Sequence, residues 1–188
     1  MNSALPAQPV VFEQDGRQLF GWYHPPAVGD GHARDCLVVM CNPLGYDAIC
    51  THRHYRVLAQ QLADSGFAVL RYDHDGTGDS AGSDEDPQRL QAWLNGIACA
   101  VEYGKQLSGA RQVSLFGVRM GGTLALAAAA AAPLADSLVA WSPFASGALY
   151  LREMRALRML RDADASSAAL LHDAGADMGE EAAGYLLT

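Results

Sequence analysis

The stretch Gly117-Val118-Arg119-Met120-Gly121-Gly122 lies between an apolar run, VSLF, and a small-residue run, TLALAAAAAA. A turn this tight between a strand and a helix tolerates little more than glycine on either side of its tip. It holds the tip residue above the sheet edge, at a helix N-terminus whose free N–H groups favour negative charge. That is the setting of G-x-S-x-G, in which a serine attacks an acyl carbonyl and backbone N–H groups receive the oxyanion. Here the tip is Arg119. A guanidinium stays protonated and only donates hydrogen bonds, so it cannot attack an acyl carbon. Two roles are open to it. It can pair with Asp73, Asp75 or another nearby acid and keep the turn rigid. Alternatively, with the helix N-terminus, it can clamp an anionic group such as a carboxylate, a phosphate or a phosphopantetheine arm.

Other residues of chemical type cluster where strands should end. Cys41 and Ser142 each close an apolar run, and His52, His54 and His74 follow two such runs closely. Ligands in open α/β sheets bind at that edge. Solvated positions are expected for the three histidines, packing for Cys41 and a helix cap for Ser142. His172 falls in a stretch without periodicity and is expected to be exposed. DHDGTGDSAGSD loosely fits a calcium loop, with Asp73, Asp75, Thr77, Gly78, Asp79 and Asp84 near ligand positions. Such a loop follows a helix and ends in glutamate, whereas FAVLRYD reads as a strand and the last acid is aspartate, so a hydrogen-bonded turn is the stronger reading.

The elements that must position these residues follow from hydrophobic pattern. Two apolar runs around Asp15-Gly16 predict a hairpin. CLVVMCNP and FAVLRYD read as buried strands, and QVSLFG and SLVAWS as further strands. Between them come three helices: HYRVLAQQLADSG, with Tyr55, Leu58 and Leu62 on one stripe; PQRLQAWLNGIACAVEYGKQL, with Leu90, Trp93, Leu94, Ile97 and Val101 inward; and GGTLALAAAAAA. The alternation predicts an α/β fold, a mostly parallel sheet with helices on both faces after an antiparallel hairpin. Residues 1–145 form this core in the sequence reading, and 146–188 a helical cap or linker tail. That tail opens with a helix in which Leu151, Met154, Leu157 and Leu160 point inward beside a stripe of Arg152, Arg155, Arg158 and Arg161. From Asp162 to Gly179 the composition suggests a linker.

With these motifs in place, the chain resembles the first two-thirds of an α/β-hydrolase. It is similar to serine aminopeptidase-like hydrolases, and among them to those called exosortase A system-associated hydrolases, where an elbow with arginine at its tip and W-D-P before YLRELR also occur. Here the corresponding segments are GVRMGG, D-x-x-G-x-G-x-S from Asp73 to Ser80, and WSPFASGALYLREMR. The resemblance implies an elbow at Gly117, Gly121 and Gly122, with Arg119 at the nucleophile position. It also implies an oxyanion site formed by the N–H groups of Met120 and of Leu44 in NPLG, with Asn42, Gly45, His74 and Ser142 as binding-site residues. Ser142 stands where those relatives carry aspartate, and the strands that deliver the acid and histidine of the triad would follow Thr188.

The 188 residues carry a net charge of −8 and are 50% hydrophobic, enough for one compact core and contrary to a nucleic-acid surface. The longest apolar stretch ends at Pro133, short of the roughly 20 residues that span a bilayer. No secretory signal is visible at the N-terminus, so a cytoplasmic location is expected. Cys36, Cys41, Cys50 and Cys99 form no CxxC, and no motif calls for a metal, nucleotide or other cofactor. The functional expectation is an acyl (ester, thioester or amide) hydrolase fold with an incomplete triad, needing a second polypeptide or a homodimer partner to complete the sheet. The alternative is a pseudohydrolase that binds an anionic small molecule or an acyl carrier. An unconventional nucleophile, Cys41 or Ser142, is a third possibility.

Overall fold

The computed structural model describes residues 5–27, 33–83, 85–168, 180–182 and 185–187. Strands β1 (Gln8–Gln14) and β2 (Arg17–His24) form the hairpin, with Asp15 and Gly16 both at positive φ, 49° and 80°, as a two-residue turn requires. Then follow β3 (Cys36–Cys41), α1 (Gly45–Asp64), β4 (Ala68–Tyr72), α2 (Arg89–Ser108), β5 (Gln112–Val118), α3 (Met120–Ala131), β6 (Ser137–Trp141) and α4 (Gly147–Ala168). The six strands lie in the order β1-β2-β4-β3-β5-β6. β3 pairs in parallel with β4 and β5, β5 pairs in parallel with β6, and β2 pairs antiparallel to β4. The expected α/β architecture is therefore present.

β3 and β4 are buried because both faces of the sheet are covered there, whereas β6 at the edge leaves Val139 and Trp141 exposed. On one side α2 and α3 bury Leu37, Val39, Leu70, Ile97, Leu115 and Leu124. On the other, α1 lays Tyr55 and Ala59 over Val38, Met40 and Val69, with Leu58 and Leu62 packed alongside. Gly104 lets α2 approach closely, since a Cβ there would meet the Leu37 side chain at 3.2 Å or less.

Four expectations need correction. α1 starts at Gly45, nine residues before His54, because the NPLG turn leads directly into helix and needs no intervening loop. Leu90 is 58% exposed: Gln88 turns left-handed (φ 59°), the helix begins only at Arg89, and Trp93 is the first large residue to reach the core. α4 runs on to Ala168, taking in the first seven residues of the segment expected as linker, and a small hairpin of β7 (Glu180–Ala182) and β8 (Tyr185–Leu187) lies further along the chain. Along α4, Met154 is buried and Leu151 half-buried, but Leu157 is exposed, because only the first turns of α4 rest on the core, through Tyr150, Met154 and Phe144. The readings for His172 and Asp84, and for the side chains of Leu160 and Arg161, fall outside the described residues. No helix among the described residues is long and apolar enough to cross a membrane.

Candidate functional site

β5 turns into α3 through a single residue. Arg119 sits at φ 56°, ψ −124°, a conformation that a side chain adopts only when the surroundings impose it. Three glycines make the turn possible. A Cβ on Gly117 would lie 2.5 Å from the backbone of Gly121 and Gly122; one on Gly121 would lie 2.6 Å from the Asn42 carbonyl oxygen and closer still to that of Cys41. The elbow is thus pressed against the end of β3, and Met120, first residue of α3, comes beside the Asn42–Leu44 turn. Main-chain N–H groups at a helix start have no partner within their own helix, which is what an oxyanion site requires.

The tip side chain is already occupied. Arg119 Nε donates to Asp47 Oδ2 at 3.2 Å, its Nη2 donates to Glu153 Oε1, and its guanidinium carbon lies 4.3 Å from the Phe144 ring centroid. Its partners are therefore other nearby acids, Asp47 from α1 and Glu153 from α4, and not the two named candidates Asp73 and Asp75. Asp73 instead accepts from Asn42 Nδ2 and from the Asp79 N–H, and Asp75 is paired with Arg17. Phe144 is held in place by Thr123, whose hydroxyl accepts the Phe144 N–H at 2.8 Å. A cavity of about 440 Å³ opens here, lined by Arg119, Phe144, Arg152 and Glu153 among others.

The remaining expected site residues divide clearly. Leu44 is buried and extended ahead of α1, and Gly45 starts that helix at φ 60°. Asn42 is committed, its Nδ2 donating to the Tyr72 carbonyl at 2.8 Å. His52 and His54 are exposed on α1, as expected, but His74 is fully buried. Its Nε2–H donates to the Asn42 carbonyl at 3.0 Å, leaving Nδ1 to accept from the Tyr72 hydroxyl at 3.3 Å. Burial lowers its pKa to about 4, so it is a neutral strut for the 42–44 turn and not a solvent-facing base. The solvated reading failed because the Asp73–Ser80 turn folds back over it: Thr77 donates to the His74 carbonyl and Ser80 to that of Asp73.

Ser142 is exposed at φ 50° directly after Trp141, whose carbonyl accepts the Arg119 N–H at 2.9 Å. It does not cap α4; Ser146 does, its hydroxyl accepting from the Leu149 N–H. The Cys41 thiol is wholly buried and pushed up to about 12 by burial, which removes the thiolate that nucleophilic chemistry needs. No group of three or more acidic, histidine or cysteine side chains among the described residues could hold a metal. Three contributors escaped the sequence reading: Asp47, Glu153 and Tyr55. Starting α1 at Gly45 would have put Asp47 in its first turn, and Glu153 is the one acid within the arginine-striped segment. The Tyr55 hydroxyl accepts the Val118 N–H and donates to the Cys41 carbonyl, tying the ends of β5 and β3 together beneath the elbow.

Alanine and glycine at Arg119 separate side-chain from backbone effects. Both remove the two part-exposed ion pairs, worth up to about 1 kcal/mol each, and the ring contact. Glycine also relieves backbone strain of about 1–3 kcal/mol, less about 0.5–1 kcal/mol for its extra chain entropy. Arg119→Gly is therefore expected to be more stable than Arg119→Ala by about 1–2 kcal/mol in urea unfolding. Equal stabilities would mean that the tip is unstrained.

Comparison with known proteins places the fold in a family. Residues 48–172 match the family described as Serine aminopeptidase, S33. An uncharacterized protein of Mycobacterium tuberculosis (strain H37Rv) is 33% identical over 175 residues, covering 86% of this chain and 56% of that protein. The chain thus spans about half the length of the curated relatives it matches. Among solved structures, Est1E from Butyrivibrio proteoclasticus, with ferulic acid bound, superposes with a TM-score of 0.59 at 27% identity, covering 71% of this chain and 52% of that one. The α/β-hydrolase GrgF from Penicillium sp. sh18 gives 0.61 at 24% identity, covering 82% and 55%. A lidless serine hydrolase from Xanthomonas campestris gives 0.60 at 20% identity, covering 74% and 63%.

Proposed function

Since the chain belongs to the serine aminopeptidase S33 family and has the α/β-hydrolase fold, we propose that it serves acyl (ester, thioester or amide) chemistry as the elbow-bearing part of a larger assembly. In this reading the elbow holds the acyl group and does not attack it. The carrying observation is that the strained elbow backbone is intact while Arg119, at its tip, is bound by Asp47 and Glu153. The N–H groups of Met120 and Leu44 would receive the carbonyl oxygen, and Gly117, Gly121 and Gly122 set their spacing.

Completion of the sheet is supported by β6. It lies at the edge of the six-stranded sheet, with Val139 54% and Trp141 69% exposed, and such an edge is a template for further strands. A second polypeptide, a second copy or further chain would bring the acid and the base that Arg119 and the buried, neutral His74 do not supply. The narrower grouping with exosortase A system-associated hydrolases rests on the arginine tip and the Trp141-to-Arg155 segment. Arg152 beside Arg119 at the 440 Å³ cavity favours a second reading, a pseudohydrolase that holds an anionic small molecule or an acyl carrier without turning it over.

Hydrolysis of p-nitrophenyl butyrate, with fluorophosphonate labelling followed by mass spectrometry, tests the proposal. The isolated chain is expected to show neither turnover nor label, and both are expected to appear when it is co-purified with whatever covers β6. Turnover by the isolated chain that survives Arg119→Ala would overturn the assembly reading. A stable complex that binds ester but never turns it over would establish the pseudohydrolase instead.

A further inference from the structure

A second cavity, of about 560 Å³, lies between the turn after β3 and the loop after β4, and it shares no lining residue with the one at Arg119. Arg71, on β4, lines it. This arginine is only 8% exposed, yet among the described residues its sole hydrogen bond runs from Nε to His24 Nε2, at 3.1 Å, and it forms no ion pair. The Trp22 ring, 5.6 Å from the guanidinium carbon, gives it a π face but no acceptor. No acceptor among the described residues engages its Nη groups, which are not sealed from solvent, and the Asp73 carboxylate acts on its charge without pairing to it, so an anion in the cavity can gain a charge-assisted contact.

The rest of the lining narrows what that anion is. Pro43, Ile49 and Tyr55 supply apolar wall, whereas Asp73 and Asp79 bring negative charge to the same cavity. A doubly charged phosphate would be repelled by the two aspartates, while a single carboxylate can meet Arg71 and leave its apolar body against the wall. We propose that this cavity binds a small monocarboxylate, with its carboxylate on Arg71 and its apolar part against Pro43, Ile49 and Tyr55. The cavity shares the turn after β3 with the elbow, through Asn42, Pro43 and Gly45, but none of its lining comes from Arg119 or α4.

Titration of the 15N-labelled chain with sodium benzoate, followed at the Arg71 Nε–H resonance, tests this directly. A saturable shift is expected, at least tenfold weaker with the neutral isostere benzamide and weaker also with inorganic phosphate. Arg71→Met removes that reporter, so the variant is followed at the backbone amides of Ile49 and Tyr55, where the saturable shift should be lost. Because that substitution also removes the contact with His24, a second variant acts only at the mouth. Ile49 is 75% exposed, and Ile49→Trp should weaken benzoate binding several-fold with the melting temperature unchanged. Asp79→Asn should tighten it several-fold by removing a repelling charge. Absence of a saturable shift, equal binding of benzamide, tighter binding of phosphate, or benzoate binding unaffected by Ile49→Trp would each overturn the proposal.

Discussion

Alanine at Gly121 is expected to cost more than about 4 kcal/mol and to leave little folded protein, a loss that single substitutions reach only when a closely packed site has no room to adjust. The added methyl would collide with the Cys41 and Asn42 carbonyl oxygens and lie 2.8 Å from the Asn42 carbonyl carbon. All three atoms are backbone, at the end of a strand paired on both sides with β4 and β5, so none can swing away as a side-chain tip would. Gly147→Ala is the control. Nothing lies within 4 Å of a Cβ there, and the position opens α4, so stability should be unchanged or slightly raised. Urea unfolding of the two variants decides the matter: a Gly121→Ala protein within about 1 kcal/mol of wild type would mean that the elbow is not packed against the β3 turn. The consequence extends to function, because the same contact sets how far Met120 stands from Leu44.

Gly121 also shows why much of the site was legible in the sequence. Strand-to-helix turns of this kind need glycine at fixed places, so GVRMGG marks the elbow before any coordinates are consulted, and the continuous apolar runs mark the parallel strands around it. What could not be read is which acid reaches Arg119. Asp73 and Asp75 are close in the linear pattern of strand ends, but the Asp73–Ser80 turn draws their carboxylates inward to its own N–H groups and to Arg17. Asp47 and Glu153 reach Arg119 from two different helices, 72 and 34 residues away along the chain, pairings that no local periodicity encodes. Arg71 illustrates the same limit. FAVLRYD marks a buried strand but not what its arginine meets, and only the packing of α1 on β4 and the pairing of β2 beside it set Arg71 against Trp22 and His24.

Acidification from pH 7 to pH 5 is expected to remove about 2 kcal/mol of stability for each of two buried histidines, about 4 kcal/mol together, out of the 5–15 kcal/mol usual for a domain. Both have pKa values lowered to about 4 from the ordinary 6.5. For His24 the cause is burial first and then the neighbouring Arg71 charge; for His74 it is burial. Hydrogen bonds from Gln60 to His24 and from His74 to the Asn42 carbonyl favour the charged imidazoles but are outweighed, and the other ring contacts oppose a second proton. The His24 Nε2 lone pair accepts the Arg71 Nε–H, so a proton there would break that bond and set two cations side by side. Protonating His74 at Nδ1 would displace the Tyr72 hydroxyl proton, inside a fully buried cluster. The unfolded chain therefore takes up protons from about pH 6.5 downward while the folded chain does not until about pH 4. The stabilisation is full above 6.5 and is lost through that interval, at about 2.7 kcal/mol per pH unit at its steepest. Asp73 acts in the opposite sense, since burial raises its pKa and its protonation favours the folded state. Urea midpoints at pH 7, 6 and 5 measure the effect, and His24→Gln and His74→Gln should each flatten the dependence by about half. A stability that changes by less than about 1 kcal/mol between pH 7 and pH 5 would mean that the two imidazoles are charged in the folded protein, and the neutral strut under the oxyanion turn would have to be abandoned.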